Sequence, residues 1–265
     1  MAYSLIGKDF TPPDVHGKVT GKAKYAEDFK VNGMLHARLL TSPVPHARIV
    51  RLDVSKALQM EGVVAVLTAD DVPFIPNLGN PILTNEPAYV GDPILAVAAV
   101  DERTAEDALQ AINFDFEPLP FVVDPLTSLR PGGPHARTQG NVGNATMQDD
   151  FRSVHWSDDD MASLANGNLP QGEPAREWSI GDLEAGFAAA TYTIDESFVT
   201  ASYSHNSMEP RSALAYWENG KCFLYGSSQS QSFPVPALAE YIGIKPADLV
   251  FVAEYCGGGF GSKGG

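Results

Sequence analysis

The sequence predicts an α+β protein built in two parts, and three observations carry that prediction. Its 265 residues amount to about two domains at roughly 150 residues each. A strand–helix–strand pattern runs from Ile94 to Glu117, and a hairpin followed by a helix and a last strand runs from Ala213 to Tyr255. Hydrophobic residues make up 44% of the chain and charged residues 19%. That is enough apolar surface for buried cores and not the composition of a disordered tail.

Met34 to Leu40 has the apolar character of a strand. Val63 to Leu67 is an apolar run too short for a helix, and Ile94 to Val100 is another. Thr104-Ala-Glu-Asp107 reads as a capping-box start. Behind it, Ala105, Ala108, Leu109 and Ile112 fall at i, i+3, i+4 and i+7 on one helix face. Asn113 to Glu117 alternates as a strand that Pro118 and Pro120 end.

From Leu126 to Trp178 the periodicity is lost. Pro131-Gly-Gly-Pro134, Gly140-Asn-Val-Gly-Asn144 and Ser157-Asp-Asp-Asp160 supply turns and charge instead, which predicts a linker or an extended functional arm. Order resumes with a short helix over Asp182 to Ala190 and an alternating strand over Thr191 to Phe198. Ala213 to Trp217 and Cys222 to Tyr225 flank Asn219-Gly220, the strongest short-range hairpin signal. Phe233, Val235, Leu238, Ala239 and Ile242 suit a helix, and Leu249 to Tyr255 the last strand. The predicted organisation is a first domain over 1–125, an arm over 126–178 and a second domain over 179–265.

Charge and cysteine content narrow the function. A net charge of −15 and a pI near 4.7 leave no cationic stripe to track a phosphate backbone, which argues against nucleic acid. Two cysteines, Cys222 and Cys256, cannot supply four ligands to an iron–sulfur cluster or a Cys₄ zinc site. They also make no disulfide framework, so a reducing compartment is expected. The first ten residues lack the flanks of a signal peptide, and no apolar run of about 18 residues would span a bilayer. A cytoplasmic protein is expected, with export alongside a partner to the periplasm left open.

The densest chemical signal is Cys256-Gly-Gly-Gly-Phe-Gly-Ser-Lys-Gly-Gly265, directly after a predicted strand. Successive glycines let backbone N–H groups approach an anionic or oxo ligand unobstructed. Gly259, Gly261 and Gly264 match G-x-G-x-x-G, but the following helix and distant acidic residue of a dinucleotide site are missing. The Walker A pattern fails because Lys263 follows Ser262. From these residues alone the segment is either a backbone-donor loop or a glycine-rich tail or hairpin.

Ser227-Ser-Gln229 is a second candidate, since a loop Gln can donate an amide hydrogen. His205 and Glu209 have a ligand-like spacing, but Pro210 follows, and the stretch reads better as a turn with a buried polar pair. His16, His36, His46, His135 and His155 show no ligand spacing. Asp158 to Asp160 reads as a solvated acidic loop without the oxygen spacing of a calcium site. There is no G-x-S-x-G, and neither cysteine stands in a nucleophile context.

Taken in order, these pieces resemble the large, molybdopterin-binding subunit of the xanthine dehydrogenase/aldehyde oxidase family. Gly17-Lys-Val-Thr-Gly-Lys-Ala-Lys-Tyr-Ala-Glu-Asp28, Ser42-Pro-Val-Pro-His-Ala-Arg-Ile49 and Asn85-Glu-Pro-Ala-Tyr-Val-Gly-Asp-Pro-Ile-Leu-Ala-Val97 look like its α/β hammerhead domain, closing at Phe116-Glu-Pro-Leu-Pro120. His205 to Pro210, Ser227 to Gln229 and Gly257 to Lys263 look like the opening of its molybdenum-binding domain.

The resemblance implies hydroxylation of an aldehyde or heteroaromatic carbon with oxygen from water. It puts Gln229 beside a molybdenum–oxo group. Gly258, Gly259, Phe260 and Gly261 line the same centre, with the amides of Phe260 and Gly261 facing the cofactor. No residue of the chain coordinates the metal directly. Where xanthine-type members carry an acidic residue after the loop, this chain has Gly264. That lowers the odds for xanthine. The family's catalytic Glu base and most pterin contacts lie downstream of Gly265, so no catalytic residue is assigned here.

The implied partners are a chain carrying the rest of the molybdenum domain, an iron–sulfur subunit and an FAD subunit. Apolar faces between Ser179 and Gly265 should stand uncovered without them. The alternatives from another class are a non-catalytic scaffold or cofactor-loading module, or a truncated fragment of the large subunit.

Overall fold

A computed structural model describes residues 5–72, 81–128, 158–163, 178, 180–194, 196, 200 and 203–264. Most of the predicted arm, and the end of the strand predicted over Thr191 to Phe198, lie outside these. Among the described residues the elements are α1 (Val15–Val19), β1 (His36–Thr41), β2 (Ala47–Asp53), α2 (Ser55–Leu58), β3 (Val63–Leu67), β4 (Pro93–Ala99), α3 (Glu102–Ala111), β5 (Asn113–Pro118), α4 (Pro125–Ser128), α5 (Asp158–Ala162), α6 (Leu183–Ala189), β6 (Ala213–Glu218), β7 (Lys221–Gly226), α7 (Pro234–Tyr241) and β8 (Leu249–Val252). The mixture is α+β, as the patterns predict.

Chain order and packing diverge. The described residues form two compact units, one joining residues up to Met34 with 203–264, the other holding 35–72 and 81–200. The sequence pattern groups 1–125 together, whereas the first segment packs with the C-terminal one for an aromatic reason. Phe29 lies against Tyr225 with ring centroids 4.5 Å apart, and Tyr25 against Tyr255 at 6.0 Å. Gly17 is part of the same contact, since a Cβ there would sit 2.7 Å from the Tyr255 hydroxyl.

In the second unit, β1, β4 and β3 form an antiparallel sheet with β4 in the centre, and β2 pairs antiparallel with β5. Leu95 and Val97 of β4, with Ala57, Ala108 and Ile112, make the core. The two buried alanines of α3, Ala105 and Ala108, let that helix sit close to the sheet. Its start is corrected from Thr104 to Glu102, because Asp101 is the cap and its carboxylate accepts the Thr104 N–H at 2.7 Å. The β2 strand escapes the apolar pattern because arginines interrupt it. Arg51 points outward and pairs across the ladder with Asp115 at 2.7 Å. Leu95 is completely buried, so Leu95→Ala is expected to cost about 2–5 kcal/mol. Urea unfolding should show it as a lower midpoint at unchanged slope.

Three further expectations are revised. Asp158 to Asp160 begin the helical turn α5 rather than a loop. Residues 191–194 form no strand; Tyr192 and Ile194 stand exposed with no ladder partner among the described residues. The last strand ends at Val252, three residues short of Tyr255.

In the first unit, β6 and β7 pair in an antiparallel hairpin. Asn219 and Gly220 at its tip both have positive φ, the geometry of a two-residue turn matched to strand twist. Helix α7 then returns the chain so that β8 runs parallel to β7, with Cys222 opposite Leu249 and Tyr225 opposite Val252. Cys222, Ala239 and Leu249 form the small core beneath α7. Burial pushes the Cys222 thiol up, away from the reactive thiolate.

Candidate functional site

Because β7 and β8 are parallel, the segments leaving their carboxyl ends emerge side by side. This is the edge where open α/β sheets place ligands. The first segment is 227–231 and the second 253–263, so the topology unites the two loops that the sequence singled out.

Hydrogen bonds fix their register. The Gln229 N–H donates to the Lys263 carbonyl at 3.0 Å, and the Ser228 hydroxyl donates to the same carbonyl at 3.2 Å. In the other direction, the Gly261 N–H donates to Gln229 Oε1 at 3.1 Å. A backbone N–H can be met only by the oxygen end of a carboxamide, so this bond sets the Gln229 orientation and leaves Nε2 as its remaining donor. The Gly261 amide, implied by the resemblance to face a ligand directly, here donates to Gln229 instead.

The glycines are required by close approach. A Cβ on Gly259 would lie 2.0 Å from Gln229 Oε1, and one on Gly257 would lie 2.5 Å from Glu209 Cβ. Phe260, 75% exposed, adopts a positive φ of 52°, a strained conformation of the kind that collects at binding sites. Gln229, Gly258, Gly259 and Phe260 line a cavity of about 540 Å³ together with Lys18 and Asp14, which pair with each other. The Cys256 thiol also lines it and donates to the Gly258 carbonyl, with sulfur and oxygen 3.6 Å apart.

Behind the loops lies a feature that the sequence analysis left unassigned. Glu209 and Lys263 are 9% and 3% exposed, and their side chains pair at 2.9 Å. Glu209 is thus one half of the buried polar pair expected of its turn, but its partner is 54 residues on. The metal-like spacing with His205 is not used. No local signal in the sequence marks the pair, since Glu209 stands before a proline and Lys263 beside glycines, 54 residues apart.

Burial alone would raise the Glu209 carboxyl. The Gly257 N–H, the Lys263 ammonium and the neighbouring Ser227 hydroxyl outweigh it and hold the group below its ordinary value of 4.5. A depressed folded value stabilises the protein above 4.5, and that contribution is lost as pH falls through the folded value. Acid unfolding should therefore be steeper in the wild type than in Glu209→Gln as the pH falls below 4.5. Equal slopes would contradict it.

Comparison with known proteins then places the chain. The model described as "Aldehyde oxidase and xanthine dehydrogenase, a/b hammerhead domain" matches residues 20–120, and "Molybdopterin cofactor-binding domain" matches residues 166–265. The chain belongs to the xanthine dehydrogenase/aldehyde oxidase family. A probable xanthine dehydrogenase subunit of Bacillus subtilis is 32% identical over 95% of this chain and 31% of its own length. The nicotinate dehydrogenase large molybdopterin subunit of Eubacterium barkeri is 28% identical over 98% of this chain and 56% of its own length. Among solved structures, quinoline 2-oxidoreductase from Pseudomonas putida 86 matches with a TM-score of 0.73 at 26% identity, over 97% of this chain and 31% of that one. The chain therefore spans between about a third and just over half of these relatives.

The residues present fit the cofactor named by the second family model. Among the described residues no three His, Cys, Asp or Glu side chains cluster as metal ligands. What the pocket offers instead is the Gln229 amide donor and a cradle at Gly259 that a Cβ would fill. That donor set suits a metal group bringing its own ligands and presenting oxygen to the protein. In this xanthine dehydrogenase/aldehyde oxidase chain, the wall built by 227–231 and 256–263 falls within the part matched as molybdopterin-binding.

Proposed function

We propose that this chain forms one wall of the molybdopterin site in a molybdenum hydroxylase acting on an aldehyde or heteroaromatic carbon. The observation that carries the reading is the Gln229 carboxamide, which lines the cavity with its oxygen held by the Gly261 N–H, so that Nε2 is its remaining donor. When bound, the molybdenum cofactor supplies a two-electron acceptor for R–H + H₂O → R–OH + 2 H⁺ + 2 e⁻. The chain's own part is to place donors. Gln229 Nε2 meets a developing negative charge without reorganising, because its other end is already fixed. Gly258 and Gly259 leave the space that side chains would take, and the exposed Phe260 ring flanks the approach and limits water.

The site residues in this reading are Gln229, Gly258, Gly259 and Phe260, with Gly261 orienting Gln229. The general base belongs to the part of the molybdenum domain beyond this chain. Iron–sulfur and FAD subunits take the two electrons onward. Exposed Leu183 and Phe187 of α6, which buries none of its seven residues, and exposed Trp217 of β6 supply apolar contact area for such partners. No helix among the described residues is long and apolar enough to cross a membrane, and we place the assembly in the cytoplasm. The domain partition 1–125, 126–178 and 179–265 is retained as the evolutionary one, with residues up to Met34 packing on the last part.

By name, relatives of the chain act on nicotinate and quinoline, both electron-poor heteroaromatics, and that class is the first to try. The purified native complex is incubated with a panel of N-heteroaromatics and aldehydes in ¹⁸O-labelled water. Label in the hydroxylated product is the expected result. Product oxygen drawn from O₂, or no turnover across the panel with an artificial electron acceptor, would overturn the reading.

A further inference from the structure

A loop of glycines has no side chains to pack, so only hydrogen bonds can hold its shape. In residues 257–263 the bonds at both ends of the loop, at Gly257 and Lys263, meet in one buried ion pair, while the Ser262 N–H and hydroxyl close the turn on the Gly259 carbonyl and Arg211 donates to the Ser262 carbonyl. Lys263 Nζ donates to the Glu209 carboxylate at 2.9 Å and to the Glu209 main-chain carbonyl at 2.8 Å. The same carboxylate oxygen accepts the Gly257 N–H at 2.6 Å, and the Glu209 N–H returns a bond to the Gly257 carbonyl at 3.3 Å. Through its own backbone carbonyl, Lys263 accepts from the Gln229 N–H and the Ser228 hydroxyl. One residue thus joins Glu209 by its side chain to Gln229 by its main chain.

We infer that Glu209 and Lys263 are positioning residues, whose buried pair sets the distance between the Gln229 carboxamide and the glycine loop. A buried pair seldom adds net stability over apolar residues of the same size, yet removing one partner strands the other. Geometry is what the pair supplies here. Neither side chain is among those lining the cavity, so both act through Gly257 and Gln229.

The test compares Lys263→Met, Glu209→Met and the double variant in the full chain within its native complex. Unfolding midpoint, amide exchange across 256–262 and molybdenum content are measured together. Each single variant should lower both the midpoint and the protection of the Gly257 and Gly261 amides, the latter about tenfold or more. The double variant should recover the midpoint while the loop amides stay unprotected and molybdenum content stays low. Recovery of midpoint, protection and molybdenum together would mean a purely structural pair and overturn the inference.

Should the double variant fail to assemble, Glu209→Gln decides, because it keeps the shape and an acceptor oxygen but loses the charge. Faster exchange at Gly257 and Gly261 with β4 amides unchanged is expected; unchanged exchange at the loop overturns the inference. The molybdenum readout rests on the cofactor-wall reading, whereas the exchange readout does not. Absence of molybdenum from the wild type would sink that reading alone.

Discussion

Gln229→Ala is expected to lower kcat by about 10²–10³-fold, the loss typical of removing one preorganised donor from a site of developing charge. The complex should still assemble with molybdenum near the wild-type level, because the damage is local. Gln229 is held from three sides, by its own N–H on the Lys263 carbonyl, by the Gly261 N–H on its Oε1 and by its contact with the Gly259 backbone. Truncation removes the remaining Nε2 donor and leaves both loops tied through Ser228 and Lys263. A donor used only as charge develops acts on kcat more than on KM. Turnover at the wild-type rate in this variant would remove Gln229 from the mechanism.

Gly259→Ala should be nearly as damaging, and for a reason that a second substitution can cancel. The three atoms closest to an added Cβ are Oε1, Cδ and Cγ of Gln229, at 2.0, 2.9 and 3.4 Å. The Gly259 backbone is not left-handed, so alanine brings no conformational penalty of its own there. The methyl group must push Gln229 off the Gly261 N–H, and the expected loss of kcat is again about 10²-fold. In a Gln229→Ala background the obstructing atoms are gone, and Gly259→Ala should then cost little more. Strong non-additivity in this cycle is the signature of a direct contact. Additive losses would show that Gly259 serves something other than Gln229.

The fold was legible where apolar period and turn chemistry agree. Val63 to Leu67 and Asn219-Gly220 are local statements, and the structure places a strand and a two-residue turn there. What escaped was long-range. Strand β2 hides behind arginines whose partners lie in other segments. The Tyr25 and Phe29 contacts that draw residues 5–34 onto the C-terminal sheet depend on rings about 200 residues away and leave no periodic trace. The strand predicted over Thr191 to Phe198 has the right alternation, but residues 191–194 have no ladder partner among the described residues, and alternation does not supply one.

The candidate site divides the same way. A glycine run after a strand and a Ser-x-Gln loop are visible in the sequence as separate oddities. Their meeting depends on the parallel pairing of β7 with β8, which the α7 crossover makes possible. The Glu209–Lys263 link could not be read at all, because a lone Glu before a proline and a lone Lys among glycines carry no mark of each other.

That the chain walls a molybdopterin site is tested most directly by elemental and cofactor analysis of the complex purified from its native host, with mass spectrometry of the chains that accompany it. Stoichiometric molybdenum with a releasable pterin is the predicted result. A complex free of molybdenum and pterin would contradict it.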